Sequence, residues 1–295
     1  MENVPTDALL LNAEIKEYRH EFTAALADLE TVNEVSPHDP TARLMRSNIY
    51  QIQGYFEAAQ TQCRTLGPRA IAMSTICGLS LTSLSGDLEE SYQALSKFVA
   101  VQRMPPEIET WALGKLADMS IRSGRLMDAL TYFERMPTEY SQTSALRSQL
   151  LDLLLKMKKP SSVLSLVAAD EKSDGLVIRR LRAMKMLGMA WRGLQTDRLE
   201  RYFELLESQL MNPHAREVAY YHLYLTEDFE QAFAAALENW RQQKEPIDTL
   251  LVLAAAQKAG KVSEVDAVTK WIVKNQYQDE TIAPYLLSNR GQARN

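Results

Sequence analysis

Glycine and proline are scarce in this sequence, with only 11 of each among 295 residues. Tight turns between short strands commonly need glycine or proline. Their scarcity therefore excludes a fold made of many short strands and favours long helices. The apolar share of 46% and the charged share of 24% are those of an ordinary globular protein. We therefore predict an all-α fold with more than about 65% helix, well above the average for globular domains, and no strand.

Long apolar runs and an excess of basic residues are also lacking. The longest apolar run, 250–256, is far shorter than the roughly 20 residues that a membrane-spanning helix needs. The net charge is −5, whereas nucleic-acid binding usually requires a basic face. We expect neither a membrane span nor a nucleic-acid partner.

Constellations of catalytic or metal-binding residues are missing as well. The four histidines, His20, His38, His214 and His222, show no pairing of i and i+4 with a glutamate. No glycine-rich phosphate loop and no Gly-x-Ser-x-Gly motif occurs. The sequence thus predicts a non-catalytic protein with no metal and no cofactor.

What the sequence does contain is a repeat. Its clearest copy has a turn glycine at Gly124, a large apolar residue at Leu126, an alanine at Ala129 and an aromatic residue at Phe133. Across the sequence, the large apolar position of the repeat is occupied by Phe22, Phe56, Leu88, Leu126, Phe229 and Val262. A glycine permits a positive φ where one helix ends and the next begins, and an alanine permits two helices to cross closely. Pro160 is expected to open a second helix at its first turn.

This pattern resembles the tetratricopeptide repeat (TPR) family, whose unit is a helix–turn–helix of 34 residues. The resemblance is strongest over 42–68, on Tyr50, Gly54, Phe56, Ala59 and Pro68. It implies a right-handed α-α superhelix of about eight antiparallel helix pairs filling 1–295 as one solenoid. The implied repeats are approximately 5–37, 40–68, 70–104, 106–137, 140–172, 174–212, 213–245 and 246–275, with a change of pitch near 171–175 and a capping helix at 277–288. Uncharacterised bacterial TPR proteins, some of them exported, contain segments that are similar to residues 22–29 and 235–248 of this sequence.

The resemblance further implies a scaffold that binds a peptide segment or a protein face in the concave groove formed by first helices. The groove residues that it assigns are Glu14, Tyr18, Asn48, Gln51, Ile52, Ser80, Ser83, Asp118, Arg122, Tyr221 and Tyr224. The alternative is a structural assembly subunit that oligomerises through its convex face or its ends.

Chaperone-binding TPR proteins grip a carboxylate with basic and amide side chains at fixed first-helix positions. Those positions in the first three repeats are Leu10, Glu14, Leu44, Asn48, Ile76 and Ser80. Only Asn48 fits, and Glu14 would repel a carboxylate. We expect no carboxylate clamp.

The two cysteines, Cys63 and Cys77, lie on neighbouring helices on either side of the predicted turn at Gly67-Pro68. Counting back from that turn puts them at comparable heights, as a disulfide requires. Two reduced, buried thiols are the alternative. The resemblance to exported proteins favours the bridge, an oxidising compartment such as the periplasm, and Met1 in place of a removed signal. Free thiols would instead indicate the cytoplasm.

Overall fold

The computed structural model describes residues 5–66, 70–207 and 214–286. Helix makes up 76% of the structure, and none of these three ranges contains a strand. The prediction of an all-α fold is therefore confirmed. Within the same ranges, no helix combines the length and the apolar character needed to cross a membrane.

The chain divides into two compact units, each of which we describe by itself. Unit 1 consists of Met1–Met104 with two short segments, Gln242–Glu245 and Asn275–Gln278. Unit 2 consists of Pro105–Arg241, Pro246–Lys274 and Asp279–Asn295.

The described residues of unit 1 form six α-helices, arranged as three consecutive pairs. They are α1 (Thr6–Tyr18), α2 (Phe22–Val35), α3 (Pro40–Ile52), α4 (Phe56–Arg64), α5 (Ile71–Thr82) and α6 (Leu88–Val101). The partners of each pair pack closely, and the short turns between them make the pairs antiparallel. The first helices α1, α3 and α5 also contact one another in order, so they form one layer of the stack. A core that includes Ala13, Phe22, Leu29 and Ile49 is buried between the layers.

The two short segments of unit 1 contact the ends of these helices. The backbone N–H of Lys244 donates to the carbonyl oxygen of Ile52, with 2.6 Å between N and O. Oε1 of Gln278 accepts a hydrogen bond from the N–H of Leu88, at 3.0 Å. Gln278 thereby satisfies a free donor in the first turn of α6, where no local side chain does so.

Unit 2 continues the same arrangement. Its helices are α7 (Pro106–Arg122), α8 (Leu126–Arg135), α9 (Ser144–Lys156), α10 (Pro160–Leu166), α11 (Asp174–Met186), α12 (Leu194–Glu207), α13 (Ala215–Tyr221), a π-helix (His222–Thr226), α14 (Phe229–Gln242), α15 (Pro246–Ala259), a 3₁₀ turn (Val262–Val265) and α16 (Asp266–Lys274). The first helices α9, α11, α13 and α15 contact one another in order. Each unit is thus a stack of helix pairs, as in an α-α solenoid.

The turn before each second helix follows one register. The second helices α2, α4, α6, α8 and α14 begin at the apolar residues that mark the repeat, and Pro160 begins α10 as predicted. Two residues earlier the backbone is left-handed, with φ of 79° at Gly54 and 75° at Gly124. Three turns place another residue type in this conformation: His20, Lys158 and Glu227 have φ of 58°, 59° and 60°. These three turns cannot be recognised in the sequence by a turn glycine.

The predicted capping helix and the predicted repeat boundaries are only partly covered by the described residues. Of the predicted capping helix at 277–288, residues 283–286 are helical, 277–282 are irregular, and 287–288 lie outside the described residues. The predicted turn at Gly67-Pro68 also lies outside them. The division into eight repeats and the change of pitch near 171–175 stay predictions.

Candidate functional site

A polar network joins three first helices of unit 2, and Asp152 on α9 is its centre. Arg179 on α11 donates from Nη2 to Oδ2 of Asp152 at 2.5 Å. The hydroxyl of Tyr220 on α13 donates to Oδ1 at 2.6 Å, and Nη1 of Arg182 donates to that hydroxyl oxygen at 2.5 Å. Two of these links join neighbouring first helices, α9 with α11 and α11 with α13, and the third spans from α13 to α9. The network therefore fixes these helices side by side. We call this surface, from α7 to the π-helix, the first-helix face of unit 2.

Tyr224 extends the network onto the π-helix. The guanidinium carbon of Arg182 lies 3.6 Å from the centroid of the Tyr224 ring, a cation–π contact. The rings of Tyr220 and Tyr224 are 4.6 Å apart between centroids. Burial raises the pKa of Tyr224 to about 12 although the charge of Arg182 opposes the shift. Tyr224 is therefore a neutral phenol at physiological pH.

Lys185 holds the end of the π-helix. Its Nζ donates to the carbonyl oxygens of Tyr224, at 3.3 Å, and Leu225, at 2.9 Å, and it pairs with Glu227 at 2.5 Å. π-helices are rare and often occur at functional sites. The lysine satisfies carbonyl groups that such a helix end would otherwise leave free.

A pocket of about 280 Å³ opens beside Tyr224. Its lining residues are Leu223, Tyr224, Glu227, Phe229, Ala254, Lys258 and Tyr285. The ammonium of Lys258 lies 5.7 Å from the centroid of the Phe229 ring. Aromatic walls with one cation and one carboxylate suit an apolar side chain that ends in a polar group.

At the other end of the face, an irregular segment of unit 2 lies on α7. Arg122 is 1% exposed, and its Nε donates to Oδ2 of Asp118 at 2.9 Å. The backbone N–H of Glu280 donates to the carbonyl oxygen of Arg122 at 2.7 Å. Ile282, two residues further on, is 1% exposed. The C-terminal end of α7 is therefore covered by a segment from the end of the chain.

Charges match between this segment and the helices beneath it. Burial raises the pKa of Asp279, and the positive charge of Arg122 opposes that shift. Burial lowers the pKa of Lys156 on α9, and the carboxylates of Asp279 and Glu280 oppose that shift. Asp279 and Glu280 thus lie close enough to Arg122 and Lys156 for their charges to interact, and the carboxylate of Asp118 also acts on Asp279.

Several predicted groove residues lie in unit 1. Tyr18 is 80% exposed, and Glu14 is exposed on the same helix. Asn48 donates from Nδ2 to Oε1 of Glu17, which links α3 to α1. Gln51 and Ile52 are half-buried near the end of α3. Burial raises the pKa of Glu17, the hydrogen bond from Asn48 opposes this, and the carboxylates of Glu14 and Glu245 reinforce it.

Like Arg122, three further predicted groove residues are not at the surface. Ser80 and Ser83 are 5% and 0% exposed, and the Ser83 hydroxyl donates to the carbonyl oxygen of Ser80 at 2.7 Å. Tyr221 is 0% exposed; its hydroxyl donates to Glu200 on α12 and its ring packs against Phe203. One residue is 100° around a helix, so Tyr221 faces a second helix while Tyr220 faces the other first helices.

Asp152, Arg179, Arg182 and Tyr220 are functional candidates that the sequence reasoning missed. They fall in the stretch where the repeat pattern is weakest, so no family position assigned them. The usable signal was the spacing of Arg179, Arg182 and Lys185, three residues apart along one helix.

The cysteines lie elsewhere, in unit 1. The structure joins Cys63 on α4 to Cys77 on α5 by a disulfide, with Cα atoms 5.6 Å apart. The hydroxyl oxygen of Ser47 lies 3.3 Å from each sulfur. The described part of the chain contains no cluster of three or more His, Cys, Asp or Glu side chains that could hold a metal ion.

The chain is similar in structure to solved proteins but matches no family model. No protein-family model and no curated protein matches the chain. Among solved structures, a tetratricopeptide repeat protein from Parabacteroides merdae is similar at 15% sequence identity and a TM-score of 0.45. The match covers 85% of this chain and 98% of the other.

Proposed function

We propose that this protein is a non-catalytic interaction scaffold, and that the first-helix face of unit 2 binds an extended segment of a partner protein. The observation that carries the proposal is that this face already holds such a segment. Residues 279–282 lie irregularly on α7, with one backbone hydrogen bond to Arg122 and one apolar side chain, Ile282, fully buried. A surface that accommodates one irregular segment has the shape and polarity to bind another.

The chemistry of the face supports the same function. Tyrosine and arginine dominate the strongest contacts at protein interfaces, since both combine apolar area with hydrogen-bonding groups. Here Arg182 is held between Tyr220 and Tyr224 before any partner arrives. A partner therefore loses little of its binding free energy to ordering these side chains.

The proposal can be tested with a random peptide library selected on the immobilised full chain. Affinities of the selected peptides are then measured by fluorescence polarisation on Tyr224→Ala and on Tyr55→Ala. Tyr55 is 61% exposed in unit 1 and serves as the matched control. We expect Tyr224→Ala to weaken binding about tenfold or more, as at an interface hot spot, and Tyr55→Ala to leave it unchanged. Equal affinities for both variants would refute this site.

A second candidate function, assembly through an end of the molecule, is favoured by α1. Leu11, Ile15 and Tyr18 are 58%, 48% and 80% exposed, and their spacing of four and three puts them on one side of the helix. If this stripe joins two copies, light scattering gives a mass that rises with concentration. Ile15→Glu then restores the monomer, while Val101→Glu, at a position 83% exposed on α6, does not. A single monomer mass at all concentrations rejects this candidate.

A further inference from the structure

We infer that the partner segment carries a carboxylate, a branched aliphatic residue three positions later and an aromatic residue three positions after that. We also infer that residues 279–286 of this chain occupy the partner's place until it binds. The inference rests on the proposed function and specifies its ligand. Its basis is the way in which the chain's own segment lies on the first-helix face of unit 2.

Three side chains of the segment, at a regular spacing, lie near charges of the face, in a buried position, or in the lining of its pocket. Asp279 lies near Arg122, Ile282 is 1% exposed, and Tyr285 lines the pocket beside Tyr224. These residues are three apart, and the segment bends through turns between them. A carboxylate near a cation, a buried aliphatic side chain and an aromatic side chain at an aromatic pocket thus follow one another along the segment.

The backbone hydrogen bonds of residues 279–286 would allow the segment to dissociate from α7 as a unit. Most of its backbone hydrogen bonds are internal: Thr281 N–H donates to Oδ1 of Asp279 at 2.8 Å, Ala283 N–H to Glu280 O at 3.3 Å, and Tyr285 N–H to Ile282 O at 3.0 Å. The bond from Glu280 N–H to Arg122 O ties it to α7. Because α7 keeps its own helical bonds, the segment can be exchanged for a similar one without unfolding the face.

The pocket beside Tyr224 has room for a larger side chain than the Tyr285 of this chain. About 280 Å³ remains open beside Tyr224 while Tyr285 already lines it. Tyr285 itself stays half-buried. A partner with a larger aromatic side chain at this position would bury more apolar area and displace the segment.

The test uses the full chain and a fluorescein-labelled peptide with the sequence of residues 277–286. We expect the peptide to bind the Ile282→Glu chain at least about tenfold more tightly than the wild-type chain, whose face is occupied. Adding Lys156→Glu to that variant should weaken binding about tenfold, because the charge facing Asp279 and Glu280 is reversed. Lys158→Glu, an exposed lysine two residues on, is the matched control and should have no effect.

A second measurement follows the segment itself. Excess peptide should speed amide hydrogen exchange at 280–286 of the wild-type chain, because the peptide takes the segment's place. Circular dichroism checks that Ile282→Glu is folded; if it is not, Tyr285→Ala is used with the same readouts. Equal peptide affinity for wild-type and variant chains, or binding that leaves exchange at 280–286 unchanged, overturns the inference.

The two proposals fail in different ways. If library peptides bind in a Tyr224-dependent manner but leave 280–286 protected, this inference is wrong and the proposed function stands. If no selected peptide depends on Tyr224, the proposed function fails at its own test, whatever the segment does.

Discussion

Lys158 adopts the left-handed conformation that glycine takes at the equivalent turns, with φ of 59°. This conformation costs an L-residue roughly 1–2 kcal/mol, and glycine avoids the cost while losing more entropy on folding. We expect Lys158→Gly to stabilise the protein by about 0.5–1 kcal/mol in urea unfolding. Lys158→Ala is the matched control: it removes the same exposed side chain but keeps Cβ. A gain with alanine as large as with glycine would show that the side chain, not the backbone, was responsible.

Glu17 gives a pH-dependent prediction. Burial raises its pKa, so the folded state binds the proton more tightly than the unfolded state, and stability falls as pH rises through that range. Glu17→Gln removes this penalty and keeps an acceptor for Asn48. The variant should melt at a higher temperature than the wild type at pH 7, and the difference should disappear below the ordinary pKa of glutamate. Glu57→Gln, exposed on α4, should show no such pH-dependent gain.

At the scale of elements, a buried ion pair fastens α13 to α15. Asp248, whose side chain is 0% exposed, accepts two hydrogen bonds from Arg216, at 2.6 and 2.9 Å, and one from Asn239 on α14 at 2.7 Å. Arg216→Gln leaves this carboxylate buried without its cation and should cost about 3–5 kcal/mol in the free energy of unfolding. Arg135→Gln breaks an exposed pair with Glu109 at 3.8 Å and should change little. Similar losses for both would mean that burial of Asp248 does not matter.

The disulfide joins the second and third helix pairs of unit 1. Under denaturing conditions without reductant, thiol titration of protein from its native compartment should find no free thiol. The double variant Cys63→Ser/Cys77→Ser should lose roughly 3 kcal/mol, the value for a loop of this length in the chain-entropy model, and reductant should destabilise only the wild type. Two free thiols would instead favour the cytoplasmic alternative.

Helix content and the starts of second helices were predictable because each repeat encodes them locally. Phe22, Phe56, Leu88 and Leu126 begin their helices as the repeat indicates. The repeat also marks the start of α14 at Phe229, but the left-handed backbone at Glu227 and the π-helix before it were not predictable, since neither segment contains a glycine or a proline. Tertiary contacts, such as the bonds from Lys185 to the π-helix end, stabilise what local sequence does not specify.

At the scale of the whole chain, the candidate site was predictable only in part. Asp118, Arg122 and Tyr224, which repeat register assigned to a groove, belong to the elements of the first-helix face of unit 2, with Arg122 itself buried, and their role in binding stays a prediction. Tyr221 and Ser80 were assigned by the same reasoning and are buried, because a single residue's error in register turns a side chain by 100°. The covering segment 279–286 was beyond prediction, since its contacts to α7 join residues more than 150 positions apart in the sequence.

The hydrogen bond from Leu88 to Gln278 has a consequence for how the protein is made. A sequence distance of 190 residues separates these two groups. At translation rates of about 5–20 residues per second, the ribosome needs about 10–40 s to supply Gln278 after Leu88. Throughout that interval the first turn of α6 lacks the acceptor that Gln278 supplies, while α6 can already pack against α5. Unit 1 therefore acquires this contact only after all of residues 88–278 have been synthesised.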